Sequence, residues 1–124
     1  MRICHVIAAM AFALPLVLIA PAAAMADRDK CLDRNLDAAA RIEACAVAIG
    51  EAPDADMFVA RGRLFEEQEK FEQALDDFSN ALDLTADHRK ALERRMVVLN
   101  KTGDTIAAQS DAKRLIELEP DQRW

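Results

Sequence analysis

The strongest constraint on the fold is that the sequence repeats itself at a spacing of 34 residues. Apolar residues between positions 55 and 86 recur between positions 89 and 120, which pairs Phe58 with Leu92, Phe65 with Leu99, Ala74 with Ala108, Ala81 with Leu115, Leu82 with Ile116 and Leu84 with Leu118. A period of this length is typical of repeat proteins, in which one unit cannot bury its apolar face alone. We therefore expect similar units to stack against one another.

Each repeat unit carries two stretches with helical periodicity. The second stretch of the first unit places apolar residues three and four positions apart, at Phe71, Ala74, Leu75, Phe78, Ala81 and Leu82. This spacing puts them on one face of an α-helix. We expect residues 55–68 to form a preceding helix and the Gly-containing segment 102–104 to break the next unit between its helices. Because strand-like runs of Val, Thr and aromatic residues are missing, the sequence predicts an all-α fold.

The region before these units has the pattern of a third, divergent unit. A shift of 33 residues aligns Ile42 with Leu75, Cys45 with Phe78, Ala48 with Ala81, Ile49 with Leu82 and Pro53 with Ala86. The pattern predicts antiparallel helices over 28–36 and 39–50, with a turn near Asp37 and Ala38. We thus expect three hairpins, over 27–53, 54–87 and 88–121, with about six helices. About three stacked units are what a stable array requires.

The 54–87 unit resembles the tetratricopeptide repeat, which places small residues where two helices approach and large residues in the gaps. It matches the motif at six positions: Phe58, Gly62, Phe65, Ala74, Phe78 and Ala81. It departs from the motif at Arg61 and Ala86, where leucine and proline are usual. The 88–121 unit is degenerate, with Met96 and Ala112 at a glycine and an aromatic position of the motif.

This resemblance covers roughly residues 30–120 and carries expectations for fold and function. It implies an α-solenoid, a right-handed superhelical stack of antiparallel helix hairpins whose first helices line a concave face. Such faces bind extended peptides or partner helices. We therefore expect a non-enzymatic interaction module with a protein or peptide partner, and no catalytic residues or cofactor.

Residues 1–26 have the three zones of a secretory signal peptide. Arg2 gives a positive start, residues 6–20 are apolar and uncharged, and the sequence AAAMA at 22–26 offers a small-residue cleavage site. The apolar run is shorter than the roughly 20 residues of a spanning helix. We expect cleavage after Ala26, or alternatively after Ala24. The mature protein would then be periplasmic or secreted, without a membrane span, similar to small exported repeat proteins of Gram-negative bacteria.

Cleavage would leave two of the three cysteines, Cys31 and Cys45. An even number of thiols in a small exported domain is most simply a disulfide, and antiparallel helices turning near residue 38 would bring the two to matching heights. Free buried thiols are one alternative. A metal site would need more ligands than the distant His88, and a redox pair usually has the spacing C-x-x-C. We predict a structural disulfide and no metal site.

Charge and residue content argue against two other classes of function. The chain has a net charge of −6, whereas nucleic-acid binding requires a clustered excess of Lys and Arg. His88 lacks the nucleophile, orienting group and oxyanion donors of a catalytic assembly, so we expect it to be a capping or surface residue.

The resemblance implies that partner-binding residues lie on the inward faces of the first helices. The candidates are Arg63, Lys90, Arg94, Val97 and Lys101. Lys90 and Arg94 share one helix face, and repeat proteins that clamp a peptide's C-terminal carboxylate use this spacing, since a guanidinium holds a carboxylate through two hydrogen bonds. Ala60 replaces an asparagine of that clamp. Alternatively, the cations form a solvated face paired with neighbours such as Asp87 and Glu93.

The C-terminal end of the array lacks a recognisable capping helix, because only four residues follow Pro120. Trp124 could fold back over Leu115 and Leu118, or a partner or a second copy of the chain could cover this end. A structural subunit that self-assembles through this end is therefore the alternative function.

Overall fold

The computed structural model describes residues 22–119 and 121, with side chains from Met25 onward, and contains six helices in this range. They are α1 (Ala22–Leu32), α2 (Ala38–Glu51), α3 (Ala55–Glu67), α4 (Phe71–Leu84), α5 (Arg89–Thr102) and α6 (Thr105–Leu118). Consecutive helices pack as hairpin 1 (α1 and α2), hairpin 2 (α3 and α4) and hairpin 3 (α5 and α6). The predicted all-α architecture of helical hairpins is confirmed.

The hairpins stack in chain order. α2 packs against α3, and α4 packs against α5. Among the first helices, α3 contacts both α1 and α5, whereas α1 and α5 do not contact each other. The order of the first helices is therefore α1, α3, α5, with α3 in the middle. No helix within residues 22–119 combines the length and apolarity needed to cross a membrane.

Polar side chains set most of the helix starts. Asp37, Asp54, His88 and Asp104 are the N-caps of α2, α3, α5 and α6, and each accepts a hydrogen bond from a first-turn backbone N–H. α5 ends at Thr102, and its C-cap Gly103 has a left-handed φ of 90° that favours glycine. The break predicted at 102–104 is therefore confirmed, as is the capping role expected for His88.

The first helix differs from its predicted range of 28–36. It ends at Leu32, because the Asp33 carboxylate accepts the backbone N–H of Asn35 at 2.9 Å and so favours a turn over another helical residue. The turn occupies residues 33–37, and α2 begins at Ala38. The helix also begins earlier than predicted, at Ala22.

Two apolar clusters hold the stack together. The larger joins hairpins 2 and 3 and contains Phe58, Val59, Ala74, Phe78, Ala81, Leu82, Ala91, Leu92 and Val98. The smaller joins hairpin 1 to α3 and contains Cys31, Ala44, Cys45, Ala48 and Met57. Gly62 allows α3 and α4 to approach closely, since a Cβ atom there would lie 2.7 Å from Cε1 of Phe78.

A specific interaction links the two helices of each hairpin. In hairpin 1, Cys31 and Cys45 form the predicted disulfide, with Cα atoms 4.6 Å apart. In hairpin 2, Arg61 donates two hydrogen bonds to the buried Asp77 carboxylate, at 2.9 and 2.7 Å, and this raises the pKa of Arg61. The departure from the motif at Arg61 therefore has a structural role.

Hairpin 3 repeats the arginine tie of hairpin 2. Arg95 donates to both oxygens of Asp111 at 2.8 and 2.7 Å, and this raises the pKa of Arg95. Arg95 also donates to Ser79 Oγ of α4 at 3.2 Å, so the same guanidinium links hairpin 3 to hairpin 2.

Candidate peptide-binding surface

A groove of about 360 Å³ lies over α3, between hairpin 1 and α5. We call it the α3 groove. Its lining residues are Leu32, Arg34, Arg41, Asp56, Val59, Ala60, Arg63, Leu64, Glu67 and Lys90. Because α3 is the middle first helix, its side chains form the floor, hairpin 1 supplies one side and the first turn of α5 supplies the other.

The α3 groove collects cations that have no carboxylate partner. In the described part of the chain, six basic side chains form no ion pair. They are Arg34, Arg41, Arg63, Lys70, Lys90 and Lys113. All of them except Lys70 and Lys113 line this one groove. An acidic chain with a net charge of −6 thus presents a groove with four basic side chains and two acidic ones.

One of the two acidic residues of the groove is already engaged. The imidazole Nδ1 of His88 accepts the backbone N–H of Ala91 at 3.2 Å, so its Nε2 carries the proton and donates to Asp56 Oδ1 at 2.9 Å. This bond joins the N-terminal turns of α3 and α5 beside Lys90. The Asp56 carboxylate is therefore partly occupied on the side of the groove where Lys90 lies.

A second groove, of about 350 Å³, lies between the C-terminal part of α3 and α5. We call it the Glu66 groove. The Glu66 carboxylate is 8% exposed and lies 3.7 Å from Nη1 of Arg94 and 3.4 Å from Nζ of Lys101. The Lys101 ammonium also lies 5.8 Å from the centre of the Phe71 ring. Both α5 cations are thus compensated by the buried Glu66 carboxylate.

The structure divides the candidate site residues between these grooves. Lys90 lines the α3 groove, Arg94 and Lys101 line the Glu66 groove, and Arg63 lines both. Lys90 and Arg94 share a face of α5, yet they line different grooves. Of these two side chains, Arg94 forms an ion pair within the described residues and Lys90 does not. Val97 is half-buried on the same helix face and lines neither groove.

Sequence reasoning missed Arg34 and Arg41, because hairpin 1 was interpreted only as a divergent structural unit. Arg34 lies in the turn after α1, and Arg41 lies in the first turn of α2, outside the first helices that the repeat pattern implicates. No spacing signal marks these two residues. They become candidates only when the fold places them against the floor of α3.

A third groove, of about 490 Å³, lies between α5 and α6 and is mostly apolar. We call it the α5–α6 groove. Met96, Ala112, Leu115 and Ile116 line it between the charged side chains of Arg89, Glu93 and Glu119. Ile116 is 58% exposed, whereas Leu115 and Leu118 pack partly against the main core. Trp124, for which back-folding over this end was one of two alternatives, lies outside the described residues. Within residues 22–119, no cluster of three or more metal-binding side chains occurs.

The chain has the fold of tetratricopeptide repeat (TPR) domains. It superimposes on the first TPR of Spaghetti (RPAP3) bound to HSP90 peptide SRMEEVD, with a TM-score of 0.72 and 21% identity over 82% of this chain and 85% of that one. The second TPR of the same protein, bound to the same peptide, gives 0.71 and 22% over 77% and 92%. No family model and no curated protein sequence matches the chain.

Proposed function

We propose that this chain is a non-enzymatic protein-interaction module that binds a peptide or protein segment bearing carboxylates in the α3 groove. The observation that carries the proposal is the segregation of unpaired cations, four of which line one groove of an acidic molecule. Charge-assisted hydrogen bonds from Arg and Lys are the strong contacts that such a groove can offer to a carboxylate. The acidic HSP90 peptide bound by both similar domains supports this ligand class.

Arg63 and Lys90 are the principal polar contacts in this proposal. Neither forms an ion pair within the described residues, so a ligand carboxylate displaces only water from them. Arg94 and Lys101 have a secondary role, because a ligand must compete with the buried Glu66 for them. Val97 lies between them on α5 and would contact a ligand that extends along this helix.

Charge reversal tests the proposal. Fluorescence anisotropy is measured with labelled SRMEEVD and with SRMQQVN, in which amides replace the three acidic side chains. We expect the wild type to prefer SRMEEVD, and we expect Lys90→Glu to weaken binding by at least about tenfold, because one attractive contact becomes repulsive. Lys113→Glu is the matched control, since Lys113 is exposed, unpaired in the described structure and outside the α3 groove. Equal binding by Lys90→Glu and Lys113→Glu would contradict the proposal.

We further propose that residues 1–26 are a signal peptide and that the module acts in the periplasm or outside the cell. The Cys31–Cys45 disulfide supports this location, because disulfides persist in oxidising compartments. Cleavage after Ala26 would shorten α1 to residues 27–32 and would retain Cys31. Mass spectrometry of the protein from a fractionated bacterial host tests this. We expect an N-terminus at Asp27 in the periplasm, and retention of the full chain in the cytoplasm once Leu16→Arg and Leu18→Arg interrupt the apolar run.

Self-assembly is the second candidate function, and the α5–α6 groove is the observation that favours it. Exposed apolar side chains in a groove of this kind are typical of contact surfaces. Light scattering at high micromolar concentration tests this candidate. We expect Ile116→Asp to dissociate an oligomer, whereas Ile106→Asp, on the same helix, outside the groove and 82% exposed in the wild type, leaves it intact. A monomeric wild type would exclude it.

A further inference from the structure

We propose that hairpin 1 gives the α3 groove a second anion-binding site, formed by Arg34 and Arg41 and separate from Lys90. The groove then selects a segment with two acidic side chains, one at each side of α3, and an apolar stretch between them. This inference rests on the proposed function, because it assigns the ligand chemistry of the same groove.

The two sets of cations lie on opposite sides of the groove floor. Arg34 and Arg41 belong to hairpin 1, which packs against one side of α3, and Lys90 belongs to α5, which packs against the other. α1 and α5 do not contact each other. The two sets thus approach the groove from opposite sides of α3, and we infer that a ligand engaging both sets crosses this helix.

Arg41 is held in place before any ligand binds. Its Nε donates to the backbone carbonyl of Cys31 at 3.2 Å, and Cys31 is fixed to α2 by its disulfide to Cys45. Both cysteines are fully buried. The two terminal amino groups of the Arg41 guanidinium have no partner among the described residues. A pre-positioned guanidinium loses less conformational freedom on binding a carboxylate, which favours affinity.

The floor of the groove determines the middle of the ligand. Val59 is 5% exposed and Leu64 is 3% exposed, and Ala60 between them carries only a methyl group. These three positions offer no hydrogen-bonding side chain, so the ligand residues that lie over them are small or apolar, and Arg63 beside them stays available to either acidic residue of the ligand. Glu67 adds a negative charge to the lining, which disfavours an acidic residue in the centre of the ligand.

Helix spacing sets the separation of the two acidic residues. Packed helices lie about 8–10 Å apart, and the basic side chains extend inward from both sides of α3. An extended peptide advances about 3.4 Å per residue, so acidic residues four positions apart are separated by roughly 14 Å along the backbone. The probe is therefore the pentapeptide Glu-Ala-Val-Ala-Glu, capped at both termini so that it has no terminal carboxylate.

The test measures binding of this probe and of its two single-glutamine analogues to the disulfide-bonded protein, at low salt. We expect the double variant Arg34→Gln/Arg41→Gln to weaken binding of the two-acid probe about tenfold, and Lys90→Gln to weaken it by a similar factor. Replacing one particular glutamate of the probe should remove the effect of the hairpin 1 variant while that of Lys90→Gln remains. Replacing the other glutamate should do the reverse.

The controls separate this inference from the proposed function. Arg34→Lys/Arg41→Lys keeps both charges but loses the bond that positions Arg41, so it should weaken binding less than the glutamine pair does, and circular dichroism checks that every variant keeps its helicity. If Lys90→Gln weakens binding and the hairpin 1 variant does not, the proposed function stands and the second site is refuted. If the hairpin 1 variant weakens all three peptides equally, the pairing is also refuted. If the wild type binds none of the three pentapeptides but prefers SRMEEVD to SRMQQVN, the second site is refuted and the proposed function stands.

Discussion

The interaction that links the two helices of hairpin 1 differs from the one that links the helices of hairpins 2 and 3. In hairpins 2 and 3, an arginine on the first helix forms a two-pronged ion pair with a buried aspartate on the second helix. The two pairs, Arg61–Asp77 and Arg95–Asp111, are related by the 34-residue repeat. In hairpin 1, a disulfide links the two helices.

The residues at equivalent sequence positions show why hairpin 1 lacks the Arg–Asp pair. The shift of 33 residues that aligns hairpin 1 with hairpin 2 places Arg28 at the position of Arg61 and Ala44 at the position of Asp77. Arg28 therefore has no carboxylate on α2 and instead donates to Asp54, the N-cap of α3, at 2.7 Å. An arginine that closes a hairpin in the later units has become a link between hairpins.

The cores of the two regions explain why hairpin 1 needs a covalent bond. The main core contains two aromatic side chains, Phe58 and Phe78, in its buried set. The cluster under hairpin 1 consists of two alanines, the two cysteines and Met57. A small apolar cluster contributes less burial free energy, so apolar packing holds hairpin 1 less strongly than it holds hairpins 2 and 3. The geometry of a repeat can thus persist while the interaction that closes it changes.

The largest expected effect is the loss of the covalent tie. Replacing both cysteines, Cys31→Ala and Cys45→Ala, should lower the free energy of unfolding by about 3 kcal/mol, because the disulfide closes a loop of about 15 residues in the unfolded chain. Urea unfolding followed by circular dichroism measures this. A loss below about 1 kcal/mol would mean that the small cluster holds hairpin 1 without the bond.

Removal of the buried aspartates tests the tie of the other two hairpins. Asp77→Ala should lower the free energy of unfolding by about 2 kcal/mol, because it leaves the Arg61 guanidinium, only 20% exposed, without its carboxylate. Asp111→Ala should cost less, since Arg95 is 27% exposed and keeps its bond to Ser79. Asp76→Ala, at an exposed and unpaired neighbour on α4, is the control and should change little.

The helical hairpins could be predicted from the sequence, but the Arg–Asp pairs that link their helices were not predicted. Helical periodicity and the 34-residue repeat predicted six helices in hairpins, because burial of an apolar stripe determines such a fold. The Arg–Asp pairs were missed although both residues recur at the repeat spacing, since only apolar positions were aligned. Arg61 was interpreted as a departure from the motif when its identity with Arg95 was the available signal.

The candidate site was less predictable than the fold. Lys90 and Arg94 share a helix face, as their spacing requires, but the sequence could not reveal that the buried Glu66 pairs with Arg94. Arg34 and Arg41 reach the groove only through the way hairpin 1 packs on α3. Charge placement across helices depends on tertiary packing, which has no local sequence signal.

The close approach of α3 and α4 at Gly62 gives a further difference between hairpin 2 and hairpin 1 that can be tested. Gly62→Ala should lower the free energy of unfolding by about 1 kcal/mol, because its Cβ would lie 2.7 Å from the Phe78 ring and 3.1 Å from Asp77 Cβ. Gly50→Ala in hairpin 1 is the matched control. No atom lies within 4 Å of its added Cβ, so it should stabilise α2 by about 0.5 kcal/mol through helix propensity. If both substitutions changed the free energy of unfolding in the same direction, a close helix approach at Gly62 but not at Gly50 would be contradicted.

The smallest expected effect concerns the arginine that changed its partner. The hydrogen bond from Arg28 lowers the pKa of Asp54 below its ordinary value of 3.8, despite partial burial that raises it. A lowered folded-state pKa means that the ion pair stabilises the protein above about pH 3.8 and that this contribution is lost as the pH falls through the folded-state value. Both side chains are about one-third exposed or more, so Asp54→Asn should cost only about 0.5 kcal/mol at neutral pH.

The change at Asp54 is separable from its capping role, because asparagine also caps helices well. The acid limb of the stability curve, measured by urea unfolding below pH 5, should therefore become shallower in Asp54→Asn. Asp37→Asn is the control, since Asp37 caps α2 and has no ion pair among the described residues. If both variants flatten the acid limb equally, Arg28 adds nothing to the junction and hairpin 1 is joined to α3 by its apolar cluster alone. If only Asp54→Asn does so, the repeat-equivalent arginine stabilises the junction between hairpins.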